Sequence, residues 1–240
     1  MAELRRIGFD RAIKIEWLDA VASKMQTEKD AKEVRDYLHD LLKNEHPAYV
    51  ARRKTVSVLM RIWCSIPQEQ VYMRDKGLQM IGKMDSQGRL LIHWGMILLA
   101  YPFFRDIVTI ISDLFALQGK FSNSQVIRKL ERSWGQRTTV RRAAQRVIRS
   151  LFEWDIINET GERGVYTPSV KIENLSIDLE LWFVEAVLRS ENIEFVAFEQ
   201  LYDMSSAFPF SLSLSIADLF KSGKFEISQQ GLNKGIISVK

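Results

Sequence analysis

The segment Lys120–Pro168 constrains the fold most strongly, because it combines two amphipathic helices, a glycine between them and two short strands after them. The pattern predicts a first helix over Ser124–Trp134, which Ser122 or Asn123 can cap. Gly135 ends this helix and permits a tight turn, and a longer helix follows it. A short helix, a glycine turn and a long helix are the plan of the helix-turn-helix motif.

The second helix begins near Arg137 or Thr138 and continues to about Trp154. At about 100° per residue it has an apolar arc and an opposite polar arc. The apolar arc holds Val140, Ala144, Val147, Ile148 and Leu151. The polar arc holds Thr138, Arg142, Gln145, Arg146 and Arg149, with Arg137 and Arg141 on its border. One face can therefore be buried while the other presents arginines and an amide, which can pair with guanine, adenine and phosphates.

Positive charge is concentrated in this part of the chain. The segment Lys120–Arg149 carries nine basic residues and one acid, a net charge of +8, whereas the whole chain carries +4. No acid lies between Glu131 and Glu153, so the helix lacks the mixed i,i+4 pairs typical of a solvated face. Its cations are mostly arginines, which favours planar, bidentate recognition. This distribution is typical of a surface that binds a polyanion.

Two short apolar strands around a polar turn follow the second helix. They are predicted at Asp155–Asn158 and Val165–Pro168, and the glycine-containing turn between them indicates a hairpin. A hairpin directly after a basic helix is the wing of a winged helix-turn-helix. Arg163 near its tip could reach a phosphate or the minor groove, whereas Glu159 and Glu162 work against tight phosphate contact.

Residues 1–119 are predicted to form a helical domain, because apolar residues recur there at helical spacing between proline and glycine breaks. Asp85–Gly88 is predicted as a turn. No flexible linker separates this domain from the central unit, so we expect the two to pack together. The predicted helices are Ile13–Ala22, Lys32–Lys43, Tyr49–Trp63, Leu90–Tyr101 and Arg105–Leu117, with Gly119 after the last.

A second basic cluster lies in the predicted helix Tyr49–Trp63. It consists of Arg52, Arg53 and Lys54, with Arg61 further along. Together with the helix before it, this segment is either an N-terminal helix-turn-helix or a patch that contacts a phosphate backbone. Three adjacent cations point in three directions on a helix, so we expect one or two of them to pair with local acids.

The segment 171–240 is predicted to repeat the plan loosely. Helices over Phe195–Asp203 and Leu212–Lys221, with strands over Phe225–Ser228 and Gly235–Val239, would form a second, degenerate winged-helix-like unit. The segment contains six basic and ten acidic residues. We therefore expect this unit to pack or to bind protein rather than to read DNA.

The sequence lacks the signatures of a catalytic or metal site. His39 and His46 are seven residues apart, whereas a two-histidine site on a helix prefers four. His93 lies in an apolar run, which favours a hydrogen-bonded core histidine, and the single cysteine, Cys64, is typical of a buried thiol. No phosphate-binding glycine loop, nucleophile elbow or zinc-protease motif occurs. We expect no enzymatic activity, no metal and no cofactor.

The apolar run Leu90–Phe104 predicts a buried helix rather than a membrane span. Its fifteen residues are fewer than the roughly 20 that a spanning helix needs, and Pro102 interrupts it. The N-terminus has no apolar core of the signal-peptide type. Because one cysteine cannot form an internal disulfide framework, the sequence is consistent with a reducing, cytoplasmic compartment.

Several segments of the chain together resemble the BrxA family of bacterial phage-exclusion (BREX) systems. They are Leu4–Phe9, the Arg52–Lys54 and Met60–Trp63 parts of one helix, the segment Leu91–Phe103 and the helix over Thr138–Leu151. The resemblance spans most of the chain and rests on pattern rather than on a diagnostic motif. It implies a small, all-helical, DNA-binding accessory protein that works beside a methyltransferase, with other defence-system proteins as partners.

Together these features predict a mainly α-helical, cytoplasmic, non-enzymatic protein that binds double-stranded DNA and no membrane. The alternative is a protein-interaction scaffold whose winged-helix folds dock partner proteins. RNA binding is less favoured, because the basic face has no aromatic side chains for stacking. The predicted DNA-binding residues are Arg137, Thr138, Arg141, Arg142, Gln145, Arg146 and Arg149 of the central helix, Arg163 of the hairpin, and Arg52, Arg53 and Lys54 of the N-terminal cluster.

Overall fold

The protein is mainly helical and contains two small antiparallel sheets of three strands each. Its structure is a computed structural model that describes residues 7–169, 171–230 and 234–239. Leu4, Arg5 and Arg6, which belong to the segments that carry the family resemblance, lie outside the described residues.

The helices and strands are numbered here in chain order. The α-helices are α1 Ile15–Thr27, α2 Ala31–Leu41, α3 Tyr49–Trp63, α4 Val71–Ile81, α5 Ser86–Ala100, α6 Pro102–Gln118, α7 Asn123–Trp134, α8 Thr138–Glu153, α9 Ile177–Glu191 and α10 Ile216–Ser222. The strands are β1 Phe121–Ser122, β2 Ile157–Glu159, β3 Val165–Pro168, β4 Val196–Ala197, β5 Phe225–Gln230 and β6 Lys234–Val239. The seven helices predicted up to Trp154 are all present, although their ends differ from the predicted ones by up to five residues. α4 and α9 were not predicted.

α5 is the central helix of the main core. Every residue from Leu90 to Ala100 is buried, as expected for a helix that is apolar on all sides. It packs against α9 at Gly95, where a Cβ atom would lie 2.7 Å from Cζ3 of Trp182. The absence of a side chain at Gly95 therefore permits the close approach of the two helices.

The two ends of α5 are set by specific residues. Asp85 is the N-cap and accepts a hydrogen bond from the backbone N–H of Gly88 at 2.8 Å. The prediction of a turn over Asp85–Gly88 was therefore wrong, because the residues after this cap form the first turn of the helix. At the other end α5 stops at Ala100, and Pro102 is the first residue of α6, which confirms the predicted break.

α7, α8 and the following hairpin pack directly on the N-terminal helices. Trp134 lies edge-to-face on Phe103, with ring centroids 4.9 Å apart, and its indole Nε1 donates to Asp106 at 2.9 Å. Trp154 Nε1 donates to the backbone oxygen of Ile13 at 2.8 Å. Buried residues of both parts belong to one continuous hydrophobic cluster. The expectation that the central unit packs on the helical domain is confirmed.

The hairpin after α8 belongs to the first sheet. β2 pairs with β3, and β1, which directly precedes α7, pairs with the other edge of β3. Ser122 at the end of β1 caps α7 and forms a reciprocal capping box with Gln125. The predicted cap and the second strand are therefore confirmed, whereas the strand predicted at Asp155–Asn158 begins only at Ile157, because Asp155 has a φ of 56°. β1 adds a third strand to the sheet.

α9 joins the main core to a second, smaller one. Trp182 and Phe183 face the main core, whereas Leu181, Val184 and Leu188 face the core of the C-terminal unit. A helix that is buried on both sides has no polar stripe, so its sequence shows no amphipathic period. This explains why helical periodicity did not indicate α9.

The C-terminal unit departs from the predicted helices. The prediction of an α-helix over Phe195–Asp203 was wrong, because Val196 and Ala197 form β4 and pair with β6, and a 3-10 helix follows. The helix predicted over Leu212–Lys221 begins only at Ile216. Buried Glu180 accepts hydrogen bonds from the backbone N–H and the hydroxyl of Ser213. These bonds hold the segment around Ser213 outside α10.

Among the described residues, no single helix has both the length and the apolar composition to cross a membrane. α5 and α6 reach that composition only together, and the chain bends by 118° between them.

Candidate nucleic-acid interface

α8 has one buried face and one exposed face, as its sequence predicts. Val140, Ala144, Val147, Ile148 and Leu151 are buried in the main core. The opposite face is built by four arginines and a glutamine, all exposed: Arg141, Arg142, Gln145, Arg146 and Arg149. We name these five residues the arginine face. The core residues hold its side chains on one side of a continuous helix.

Two arginines of this face pair with carboxylates of the same molecule. Arg141 Nε donates to Glu131 Oε1 at 2.6 Å, and Arg149 Nε donates to Glu153 Oε1 at 2.7 Å. The guanidinium of Arg149 also lies over the ring of Phe152. These two acids lie at the ends of the acid-free stretch of the sequence. Arg149 and Glu153 form an i,i+4 pair, so the expectation that this helix lacks such pairs was wrong. Exposed ion pairs of this kind are worth about 0–1 kcal/mol, so a phosphate can displace them.

The centre of the arginine face is free of such pairs. Within the described part of the chain, the side chains of Arg142, Gln145 and Arg146 have no hydrogen bond or ion pair with another residue. Each of them keeps its full set of side-chain donors for a ligand. Two guanidinium groups and one amide side by side form the set of groups that proteins use to contact phosphates and the edges of purines.

The residues at the start of α8 have a different role. Arg137 is half-buried, and its Nε and Nη2 donate to the backbone oxygen of Trp134 at 3.2 and 3.0 Å. This guanidinium therefore closes the turn around Gly135, whose φ of 80° is in the left-handed region. Thr138 is the exposed first residue of the helix. Of these two predicted residues, only Thr138 presents its side chain fully to solvent.

The hairpin turn carries Arg163 at an exposed position. One of the two acids expected to oppose a phosphate there, Glu159, accepts the backbone N–H of Gly164 at 2.9 Å. The backbone oxygen of Gly164 in turn accepts the N–H of Asn123 at 3.0 Å, which ties the hairpin to the start of α7. Glu159 therefore stabilises the turn that carries Arg163.

The N-terminal cluster separates into one bound cation and two exposed ones. Arg52 Nη1 donates to the backbone oxygens of His46 and Pro47 at 2.8 and 3.1 Å, and its guanidinium lies over the ring of Tyr49. Arg53 and Lys54 are exposed. The expectation that local acids would pair with this cluster was wrong, since the one bound cation is held by carbonyl oxygens near the start of α3.

Two of the three predicted clusters lie around one cleft. The cleft has a volume of about 780 Å³ and separates α3 from the start of α8. We name it the α3–α8 cleft. Its basic lining residues are Arg35, Arg53, Lys54, Arg61 and Arg137. Arg35 was missed by the sequence analysis, because Glu33 and Asp36 beside it conceal any basic pattern in α2.

Two of the side chains considered for catalysis are buried to different extents, since His93 is fully buried and Cys64, which was expected to be a buried thiol, is only partly buried. His93 is fully buried, and its Nε2 lies 3.1 Å from Asp19 Oδ1. Burial lowers the pKa of His93, as expected for a core histidine. The Cys64 sulfur lies 3.3 Å from that of Met25, and burial raises the pKa of the thiol to about 11. Cys64 is therefore a protonated, weakly nucleophilic thiol at neutral pH.

Comparisons with protein-family models, with curated proteins and with solved structures return no match for this chain.

Proposed function

We propose that this chain is a non-enzymatic protein that binds double-stranded DNA through the arginine face of α8. The observation that carries the proposal is the unpaired centre of this face, where Arg142, Gln145 and Arg146 are exposed while the other side of the helix is buried. Burial of one side fixes the direction in which these side chains project. A ligand with regularly spaced negative charge and polar edges fits such a surface.

We further propose that residues 120–170 act as a winged helix-turn-helix with α8 as the recognition helix. The order β1, α7, α8, β2 and β3 supports this, because a tight turn separates the two helices and a hairpin follows the second one. α8 has 16 residues and a length of about 24 Å, which is ample for the roughly 12 Å width of the major groove. Arg163 in the hairpin would then contact the backbone beside the groove.

The affinity should be largely electrostatic. If about five or six phosphates are neutralised, the logarithm of the binding constant falls with the logarithm of the salt concentration at a slope near −5. The free arginines can add base contacts, each worth about 1–3 kcal/mol when bidentate. A duplex ligand would therefore bind tightly at low salt and weakly at high salt.

The test is a fluorescence-anisotropy titration of a labelled duplex at several salt concentrations, with the double variant Arg142→Ala/Arg146→Ala. Neither side chain has a partner in the described part of the chain, so the fold should be unchanged. We expect the affinity to fall by roughly 30-fold or more, the equivalent of two contacts of about 1 kcal/mol each. The matched control Lys76→Ala/Lys83→Ala removes the same charge at exposed positions. Equal binding curves for the two variants would refute the site.

The alternative function, a scaffold that docks partner proteins, is supported by the C-terminal unit. Phe195 and Phe220 are 68% and 72% exposed there, and Ile216 is 41% exposed. Exposed aromatic side chains of this kind are common at protein interfaces. A stable complex with a partner protein, together with no retardation of any DNA at moderate salt, would favour this function over the first.

The resemblance to the BrxA family adds a biological setting to the proposal. Under this proposal the chain acts beside other proteins of a phage-exclusion system, in the cytoplasm. The genomic neighbourhood tests this setting, because genes for a methyltransferase and other system components should lie next to the gene for this chain. Their absence would remove the defence role and leave the DNA-binding proposal intact.

A further inference from the structure

The α3–α8 cleft collects positive charge from three helices that are distant in sequence. Arg35 comes from α2, Arg53 and Lys54 come from α3, and Arg137 and Thr139 come from the start of α8. One acid, Asp10, is among the residues that line the cleft. A cleft lined by an excess of one charge concentrates the field of that charge, so the α3–α8 cleft favours an anionic ligand.

Three of its cations are available to such a ligand. The side chains of Arg35, Arg53 and Lys54 are exposed and make no ion pair or hydrogen bond with any residue that the structure describes. Arg61 is fixed instead, since its Nε donates to the backbone oxygen of Ala100 at 3.2 Å and its guanidinium lies over the ring of Tyr101. Arg137 is fixed as well, on the backbone oxygen of Trp134. The cleft therefore has two anchored cations in its wall and three adaptable cations at its surface.

The start of α8 adds to the same field. Its N-cap residue, Arg137, makes no side-chain cap hydrogen bond to the first turn. The first N–H groups of a helix and the positive end of its dipole favour anions. These groups reinforce the exposed cations of α2 and α3 and do not act as a site alone.

The lining of the cleft fits phosphate better than a base. Tyr101 is the aromatic residue in the lining, and it is only 2% exposed. Among the described lining residues, a base would therefore find no exposed ring on which to stack, whereas phosphate oxygens would find guanidinium and ammonium donors. This points to a ligand whose phosphate groups carry the contact.

The position of the cleft relates it to the arginine face. Arg137 and Arg149 are twelve residues apart, which corresponds to about 18 Å along α8. This exceeds the roughly 12 Å width of the major groove, so a helix lying across the groove meets a sugar–phosphate backbone near one end. The α3–α8 cleft lies at the N-terminal end of α8.

We propose that the α3–α8 cleft is a second phosphate-binding site that holds backbone phosphates of the same duplex, outside the groove that α8 occupies. This inference rests on the proposed function and extends it, because it makes α2 and α3 part of the DNA interface. One duplex would then contact the helical N-terminal region and the central unit at once. The contact at the cleft would carry affinity without base specificity.

The test compares the triple variant Arg35→Ala/Arg53→Ala/Lys54→Ala with the matched control Lys76→Ala/Lys83→Ala/Lys221→Ala. The three control residues are exposed and lie on α4, just after α4 and on α10, respectively. Both are measured with the full-length protein and a 20-base-pair duplex, a length of about 68 Å that extends beyond both ends of α8. We expect the salt slope of the cleft variant to become less negative by about 2 to 3, since each lost phosphate contact contributes about 0.9. An identical slope for the two variants would overturn the inference.

A second arm separates DNA phosphates from a free phosphate ligand. Pyrophosphate is titrated into the wild-type protein in the absence of DNA, and isothermal calorimetry measures its affinity. Binding weaker than millimolar supports a site that needs the whole duplex. Micromolar binding that the cleft variant abolishes would overturn the assignment to DNA and identify a site for small phosphorylated molecules.

The same measurements separate this inference from the proposed function. A cleft variant that binds like its control, beside an Arg142→Ala/Arg146→Ala variant that binds weakly, would refute the cleft alone. If the cleft variant loses binding and the Arg142→Ala/Arg146→Ala variant binds as tightly as the wild type, the arginine face is refuted and the cleft is the main contact. A wild-type protein that binds no duplex at all would overturn both.

Discussion

At the scale of single residues, the arginine face of α8 is partly occupied by the protein's own carboxylates. Glu131 and Glu153 each hold one arginine of the face through its Nε atom. These pairs keep Arg141 and Arg149 in place in the absence of a ligand, but they also compete with a phosphate for the same donors. Under the proposed function, we therefore expect each acid to weaken the binding of DNA.

The double variant Glu131→Gln/Glu153→Gln tests this competition. We expect it to bind duplex DNA about 2- to 5-fold more tightly at low salt, because an exposed ion pair worth up to about 1 kcal/mol no longer opposes the phosphates. Anisotropy titrations measure the change. The matched control Glu194→Gln/Glu226→Gln removes two exposed acids of the C-terminal unit. Weaker binding of the first variant would show that the pairs orient the arginines for the DNA.

At the scale of elements, local sequence determines most helices, and close packing determines where they meet. α5 and α9 approach each other at Gly95 because no side chain intervenes there. The ring of Trp182 at this contact is among the largest fully buried side chains that the structure describes. The contact joins the main core to the helix that supports the C-terminal unit.

Gly95→Ala is expected to destabilise the protein. A Cβ atom at this position would lie 2.7 and 2.8 Å from two carbon atoms of the Trp182 ring. Overpacking costs about 1–3 kcal/mol, whereas replacing glycine within a helix gains about 1 kcal/mol, so we expect a net loss of up to about 2 kcal/mol. Urea denaturation measures it. Gly161→Ala, where nothing lies within 4 Å, is the control, and equal stabilities of the two variants would contradict the account.

At the scale of the whole molecule, the N-terminal helices hold α8 in position. The backbone N–H of Ile13 donates to Ser150 Oγ at 2.8 Å, and the backbone oxygen of Ile13 accepts from Trp154 Nε1 at 2.8 Å. Both bonds are buried and connect positions more than 130 residues apart in the chain. The arginine face therefore sits on a helix whose orientation depends on residues far outside the central unit.

Trp154→Phe tests this connection. A smaller aromatic ring remains, but the buried oxygen of Ile13 loses its donor, which we expect to lower the free energy of unfolding by at least about 1–3 kcal/mol. Because the main hydrophobic cluster is continuous across both parts, the variant should still unfold in one transition. Denaturation followed by circular dichroism and by fluorescence measures both properties. Two separate transitions would show that the central unit is stable alone.

Much of the local structure could be predicted from the sequence. The amphipathic period of α8 placed Val140 and Leu151 inside and Arg142 and Arg146 outside, because the side of a helix on which a residue lies depends only on its position in the chain. The caps and breaks at Ser122 and Pro102 are likewise local, since they act on the next few backbone groups. These features determined the candidate interface.

The remaining features were decided by tertiary structure. α9 shows no period because two cores bury it from opposite sides. Residues 212–215 lie outside α10, where Glu180 of a distant helix binds Ser213. Groups many residues apart in sequence decide which arginines pair with acids. They also decide that Arg35 and Arg137 line the same cleft. Ion pairs and clefts form between side chains that the packing of the core brings together. The periodicity of a single helix therefore cannot predict them.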